Sequence, residues 1–134
     1  MTSKIIYNGE LRTTATHLQS GTVIETDAPK DNHGMGERFS PTDLVATALG
    51  TCMLSIMGIA ARTHHIHMEE TECTIEKIMV PQPRKIGEIV VHLYMKGQEH
   101  FSDKERAILE HAALTCPVYL SLHPELKKNV TFHW

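Results

Sequence analysis

Basic charge is scarce and scattered in this sequence. Its 13 Lys and Arg are outnumbered by 16 Asp and Glu and form no run, so it lacks the electrostatic footprint of a nucleic-acid binder or a membrane-surface protein. Aromatic residues are few, at 5%, and none forms a belt at the ends of the longest apolar stretch. The N-terminus shows no cationic start, apolar core and small-residue cleavage site, which predicts a cytoplasmic protein without a signal peptide. Only three cysteines occur, at 52, 73 and 116, with no CxxC pair. That odd count excludes the disulfide framework of a small secreted domain and leaves thiol chemistry or burial. Repeats, low-complexity segments and linkers are absent, and residues 1–134 read as a single domain.

What is present centres on Ser40 to Thr63, SPTDLVATALGTCMLSIMGIAART. Ser40 is a good N-cap, Pro41 suits the first helical position, and Asp43 completes an S-x-x-D capping box. From Leu44 to Ala61 no residue is charged, and apolar side chains fall on every side of the helical wheel. Such a helix requires cover nearly all round, by protein or by lipid. Thr47, Thr51, Ser55, Gly50 and Gly58 favour protein, by close packing against a helix or sheet. At about 23 residues it would be ~35 Å long, long for one small domain, which predicts that a second subunit helps to cover it.

Strands are predicted over Lys4 to Tyr7, Leu11 to Leu18 and Thr22 to Asp27, with turns at Asn8-Gly9 and Ser20-Gly21. A loop, Ala28 to Phe39, leads into the long helix and is a natural place for site residues. After the helix, Glu70 to Val80 and Glu88 to Lys96 alternate apolar and polar, as an antiparallel pair packed on the helix would. On this pattern Cys73 faces the core as a small packing residue. A second capping box, Ser102-x-x-Glu105, opens an amphipathic helix that stops at Thr115, and Val130 to Trp134 ends the chain as a short strand.

Two cysteines have settings that bear on reactivity. Cys116-Pro117 begins a short helix, Pro117 to Leu122, where the dipole and free amide hydrogens favour a thiolate. Cys52, in the middle of the long helix, has apolar surroundings that alone would leave it an inert thiol. On these grounds Cys116 is the more reactive of the two. Ten histidines are an excess, and His64, His65 and His67 cluster after the long helix. Their spacing gives neither an i, i+4 pair nor cysteine partners, which predicts a solvated helix end rather than a metal site.

Taken together, PTDLVATALGTCM, the downstream TCPV and the order of strands and helices resemble the OsmC/Ohr family of thiol-dependent hydroperoxide reductases. The resemblance spans nearly the whole chain. It implies an α+β OsmC-like fold, with antiparallel sheets packed on the long central helix of an intertwined homodimer. It also implies a peroxidase of the oxidative stress response that detoxifies organic hydroperoxides, with Cys52 as attacking thiol and Cys116 resolving it as a disulfide. No haem, flavin or metal cofactor is required. An arginine beside Cys52 would reverse the reactivity order given by the helix argument, because a guanidinium stays charged and can fork towards thiolate and peroxide oxygen.

That arginine is expected to be Arg38, in the loop before the helix, with Arg12 of the early hairpin as the alternative. Its acidic partner is expected to be Asp43 or Glu37, since Pro41-Thr42-Asp43 stands where the family has Pro-Glu. Met53 and its apolar neighbours around Cys52 favour a bulky apolar hydroperoxide. The reductant implied is a dithiol, such as a lipoylated protein. Two further readings stand beside this one: a non-enzymatic dimeric protein binding a lipid-like small molecule, and a metal-binding module built on His64, His65 and His67.

Overall fold

The structure, a computed structural model, describes residues 1–134 and divides into two compact units, Met1–Val45 and Ala46–Trp134.

The first unit is a three-stranded antiparallel sheet: β1 (Ser3–Gly9), β2 (Arg12–His17) and β3 (Val23–Asp27) in spatial order 1-2-3. The β1–β2 turn falls two residues later than Asn8-Gly9 predicts. Gly9 pairs with Arg12, and the two residues between them, Glu10 and Leu11, have φ of 51° and 59°. Left-handed backbone at both central positions is the type I′ geometry that matches the strand twist. The shift arises because the register breaks between Tyr7 and Gly9. Asn8, in this break, donates its side-chain amide to Thr14 Oγ1. From β2 to β3 the register is regular, so Arg12 stands directly opposite Asp27 and Thr13 opposite Thr26. A 3-10 turn at Lys30–Asn32 then leads to the start of α1 (Pro41–His64). The capping box forms as the sequence predicts: Ser40 Oγ accepts from the Asp43 amide at 3.1 Å and Asp43 Oδ2 accepts from the Ser40 amide at 2.8 Å.

The second unit holds most of α1, then β4 (Glu72–Pro81), β5 (Arg84–Tyr94), α2 (Asp103–Leu114), α3 (Pro117–Ser121) and β6 (Lys127–His133). β4 and β5 pair antiparallel, with Cys73 opposite Leu93 and Ile75 opposite Val91. β6 then joins the other edge of β5 in parallel, with Val91 opposite Val130. It begins at Lys127, earlier than the predicted Val130, because pairing with β5 recruits the polar Lys127, Lys128 and Asn129 into the strand. Ile89, Val91 and Leu93 of β5 are buried with Leu49, Met53 and Met57 of α1 and Leu109 of α2 in one core. Both capping-box bonds of Ser102 and Glu105 are present at the start of α2.

α1 has the length and composition of a membrane span, with mean hydropathy 2.0 over its most apolar window. Its buried residues nevertheless trace one stripe, Ala46, Leu49, Gly50, Met53, Met57 and Ala61, shared with strands and α2. One chain therefore covers one side of the helix and leaves Val45 and Ile59 exposed.

Candidate active site

Folding brings together two cysteines that are 64 positions apart in the chain. Cys52 lies about three turns into α1 and is half-buried; Cys116 is the fully buried N-cap of α3. Both are free thiols, and Cys52 is near enough to Cys116 to raise the Cys116 thiol. Cys116 Sγ also accepts the Tyr119 amide at 3.4 Å, as an N-cap does.

The helix-start argument predicts a thiolate-favouring Cys116, and the structure corrects it. Burial pushes the Cys116 thiol up, and the nearness of Cys52 adds to the rise; the opposing Tyr119 and Val118 amide hydrogens do not offset them. A five-residue helix brings only a small dipole to set against the loss of water. Cys116 is thus held as a thiol able to donate its S–H. Cys73 is also pushed up by burial, and its Sγ lies 3.0 Å from where a Cβ on Gly50 would stand, which makes it packing between β4 and α1. Met53 is fully buried in the core rather than on an open wall.

In the first unit, the more firmly held arginine is Arg12. Its Nε donates to Asp27 Oδ1 at 2.7 Å, and Nη2 donates to Asp27 Oδ2 at 2.8 Å and to Glu37 Oε2 at 2.9 Å. Asp27 is 1% exposed, and its Oδ2 also accepts the Glu37 amide at 3.0 Å. The fork and the backbone bond together hold the Asp27 carboxyl below its usual range, with the Arg12 hydrogen bonds as the leading cause; the same bonds raise Arg12. Arg38 is more open. Its Nε donates to Glu25 Oε2 at 3.0 Å, both side chains are at least 40% exposed, and Nη1 donates to the Glu37 carbonyl. Neither expected acid holds Arg38: Asp43 is engaged in the α1 cap and the Glu37 carboxylate reaches Arg12. Gly36, Glu37, Arg38, Phe39 and Asp43 surround a shallow cavity of about 380 Å³.

Because Asp27 titrates lower folded than unfolded, its stabilising contribution is complete above the unfolded value of about 3.9 and is lost as pH falls through the folded value. Calorimetry from pH 7 to 3 should therefore find Asp27→Asn less stable than wild type at neutral pH, with the gap narrowing below about pH 4. A gap independent of pH would contradict the pairing.

His64 ends α1, His65 adopts a left-handed φ of 55°, and His67 Nδ1 lies 3.8 Å from Glu69. No three His, Cys, Asp or Glu side chains are grouped to hold a metal ion. His65 and His67 instead border an open cavity of about 580 Å³ with Ser55, Gly58, Ile59 and Arg62.

The OsmC-like protein family matches residues 34–131, and this chain belongs to that family. It is similar to the crystal structure of a protein from Psychrobacter arcticus 273-4 provisionally described as an osmotic stress induced and detoxification response protein. The two are 46% identical, with a TM-score of 0.94 over 99% of this chain and 96% of that one. The fold is also that of an organic hydroperoxide resistance protein OsmC from Legionella pneumophila, 17% identical, with a TM-score of 0.78 over 100% and 98% of the two chains. An organic hydroperoxide resistance protein from Elizabethkingia anophelis, 18% identical, shares it too, with a TM-score of 0.70 over 99% and 96%. No curated protein matches the sequence. The OsmC family includes thiol peroxidases.

Proposed function

We propose that this protein is a thiol-dependent reductase of organic hydroperoxides, with Cys52 as attacking sulfur and Cys116 as resolving sulfur. The observation that carries the reading is the nearness of two free thiols, one half-buried and one buried with its thiol pushed up by burial. The Cys52 thiolate attacks the terminal oxygen of ROOH, the O–O bond breaks, and the alkoxide leaves as ROH after taking a proton. Cys52 is then a sulfenic acid. Cys116 attacks that sulfur, water leaves, and a Cys52–Cys116 disulfide remains. A dithiol, such as a lipoylated protein, returns both sulfurs to thiols at the cost of its own oxidation.

The reading calls for a guanidinium to stabilise the thiolate and the departing oxygen, and Arg38 and Arg12 are its two candidates. Of the two, Arg12 is the more firmly oriented, by its fork onto a buried carboxylate. The apolar residues around Cys52 suit a bulky organic hydroperoxide, and the cytoplasm is the proposed compartment. Purified protein should consume cumene hydroperoxide catalytically with dihydrolipoamide as reductant. Failure to consume it would remove the peroxidase reading and favour a small-molecule-binding protein of the same fold.

The working unit is proposed to be a homodimer. Ile5, Ile6, Tyr7, Val23 and Ile24 are exposed, and strand alternation puts them on both faces of the first sheet. Together with Val45 and Ile59 of α1 they expose more large apolar side chains than a small monomer usually leaves open. Light scattering should give twice the 15.1 kDa chain mass. The mass of one chain at micromolar concentration would contradict the dimer.

A further inference from the structure

We propose that His92 of β5 and His133 of β6 form a binding site for a divalent transition-metal ion that favours right-angled ligands, Ni(II) or Cu(II), on the outer face of the second sheet. The site does not depend on the hydroperoxide reductase reading. Strand alternation turns Val91 and Leu93 into the core and His92 and Tyr94 outward. The register carries the outward row across the sheet as Glu72, Tyr94 and His133, with Thr74, His92 and Thr131 in the row beside it. His92 and His133 are therefore diagonal neighbours on adjacent strands, and His92 Nδ1 lies 3.0 Å from His133 Nε2. Tyr94 stacks on His133, with ring centroids 4.5 Å apart and 9° between the planes, which holds that ring in place. The end of β6 is tied down too: the Met95 amide donates to the His133 carbonyl at 2.8 Å, and Trp134 stacks on Phe132 with the Arg106 guanidinium over its ring.

Two ring nitrogens at hydrogen-bond distance share one proton, and a metal ion can take its place. Imidazole binds a first-row ion at about 2.0–2.1 Å, so two neighbouring ligands stand about 2.8–3.0 Å apart at a right angle and about 3.3–3.4 Å apart at a tetrahedral one. The observed 3.0 Å matches the right angle, the geometry of Ni(II) and Cu(II) rather than of Zn(II). The two lone pairs must converge on the ion. The turn this needs falls to His92, whose ring lies 6.2 Å from that of Tyr94 and is stacked less closely than His133. The displaced proton moves to the far nitrogen of its own ring, so both histidines bind as neutral ligands. Glu72, in the same row, is held by Lys96 Nζ at 2.5 Å. No third His, Cys, Asp or Glu is grouped with the pair, and water takes the remaining positions on the ion. The histidines after α1 are arranged otherwise, with His67 Nδ1 toward Glu69 at 3.8 Å.

The test titrates reduced, full-length protein with nickel chloride, reading affinity by calorimetry and the imidazole nitrogens by NMR. The ring signals of His92 and His133 should broaden first, below one equivalent of Ni(II). His92→Ala and His133→Ala should each weaken the tightest site at least about 10-fold, since loss even of a group behind a metal ligand costs that much. The double variant His65→Ala/His67→Ala, and separately Cys52→Ser, should leave that site within twofold. If His92→Ala does not fold, His92→Thr, which suits a strand, carries the same comparison. No binding at millimolar Ni(II), a tightest site lost with His65 and His67 or with Cys52, or broadening that spares His92 and His133 would overturn the site.

Discussion

Cys52→Ser is expected to abolish hydroperoxide turnover, a loss on the order of 10⁴-fold or more, because a serine hydroxyl does not ionise near neutral pH and forms no sulfenic acid. Cys116→Ser should fail differently. Its Cys52 still attacks one equivalent of peroxide, but no resolving thiol stands near the sulfur. The sulfenic acid should accumulate as a single dimedone adduct on Cys52, or as a mixed disulfide with added thiol. Cys73→Ala should leave the chemistry alone, since that sulfur is packed against α1 beside Gly50. Peroxide assays with adduct mapping check all three, and turnover by Cys52→Ser equal to wild type would sink the assignment.

A large effect on stability is expected at Gly97, between β5 and α2. Its φ is 100°, where L-residues are strained, and a Cβ there would lie 2.7 Å from the His67 carbonyl carbon and oxygen and from Met68 Cα. Those are backbone atoms and cannot rotate aside. The neighbours tie the two segments together: the Lys96 amide donates to Thr71 Oγ1, and the His67 amide donates to Gln98 Oε1. Gly97→Ala thus adds backbone strain of about 1–3 kcal/mol to a packing cost of about 1–3 kcal/mol. That is a large part of a total stability of about 5–15 kcal/mol. Gly9→Ala is the comparison, with φ of 86° but nothing within 4 Å of the added Cβ. Urea unfolding should find Gly97→Ala the more damaging by about 1–3 kcal/mol, the packing part alone. Equal losses would mean that the 67–68 backbone does not press on this loop.

The features legible in the sequence are those set by neighbouring residues. Ser40, Pro41 and Asp43 specify the start of α1 by local hydrogen bonds, and alternation over Glu70 to Val80 and Glu88 to Lys96 marks β4 and the later part of β5 by side-chain period. β6 is less legible because its pairing is non-local. Nothing in Lys127-Lys128-Asn129 favours a strand, and neither propensity nor alternation reveals that it runs parallel to β5. The uniform apolarity of α1 does not say which side its own chain covers, because that depends on where β5 and α2 pack.

The site divides the same way. Cys52 and Cys116 could be singled out by motif, but the rise at Cys116 comes from burial that a helix-start argument does not see. Arg38 drew attention through its place in the loop. The signal for Arg12 lay in hairpin arithmetic: a turn centred between Gln19 and Ser20 pairs Thr16 with Val23 and, four residues outward, Arg12 with Asp27. Opposite charges at directly facing positions are the cross-strand pair that such a register rewards.

The most direct test of the central claim is a thiol count and intact mass on reduced protein before and after one equivalent of cumene hydroperoxide, with peptide mapping. The account predicts loss of two thiols per chain, loss of two hydrogens in mass, and a Cys52–Cys116 disulfide with Cys73 still free. Three free thiols and an unchanged mass would mean that this fold is present without the chemistry.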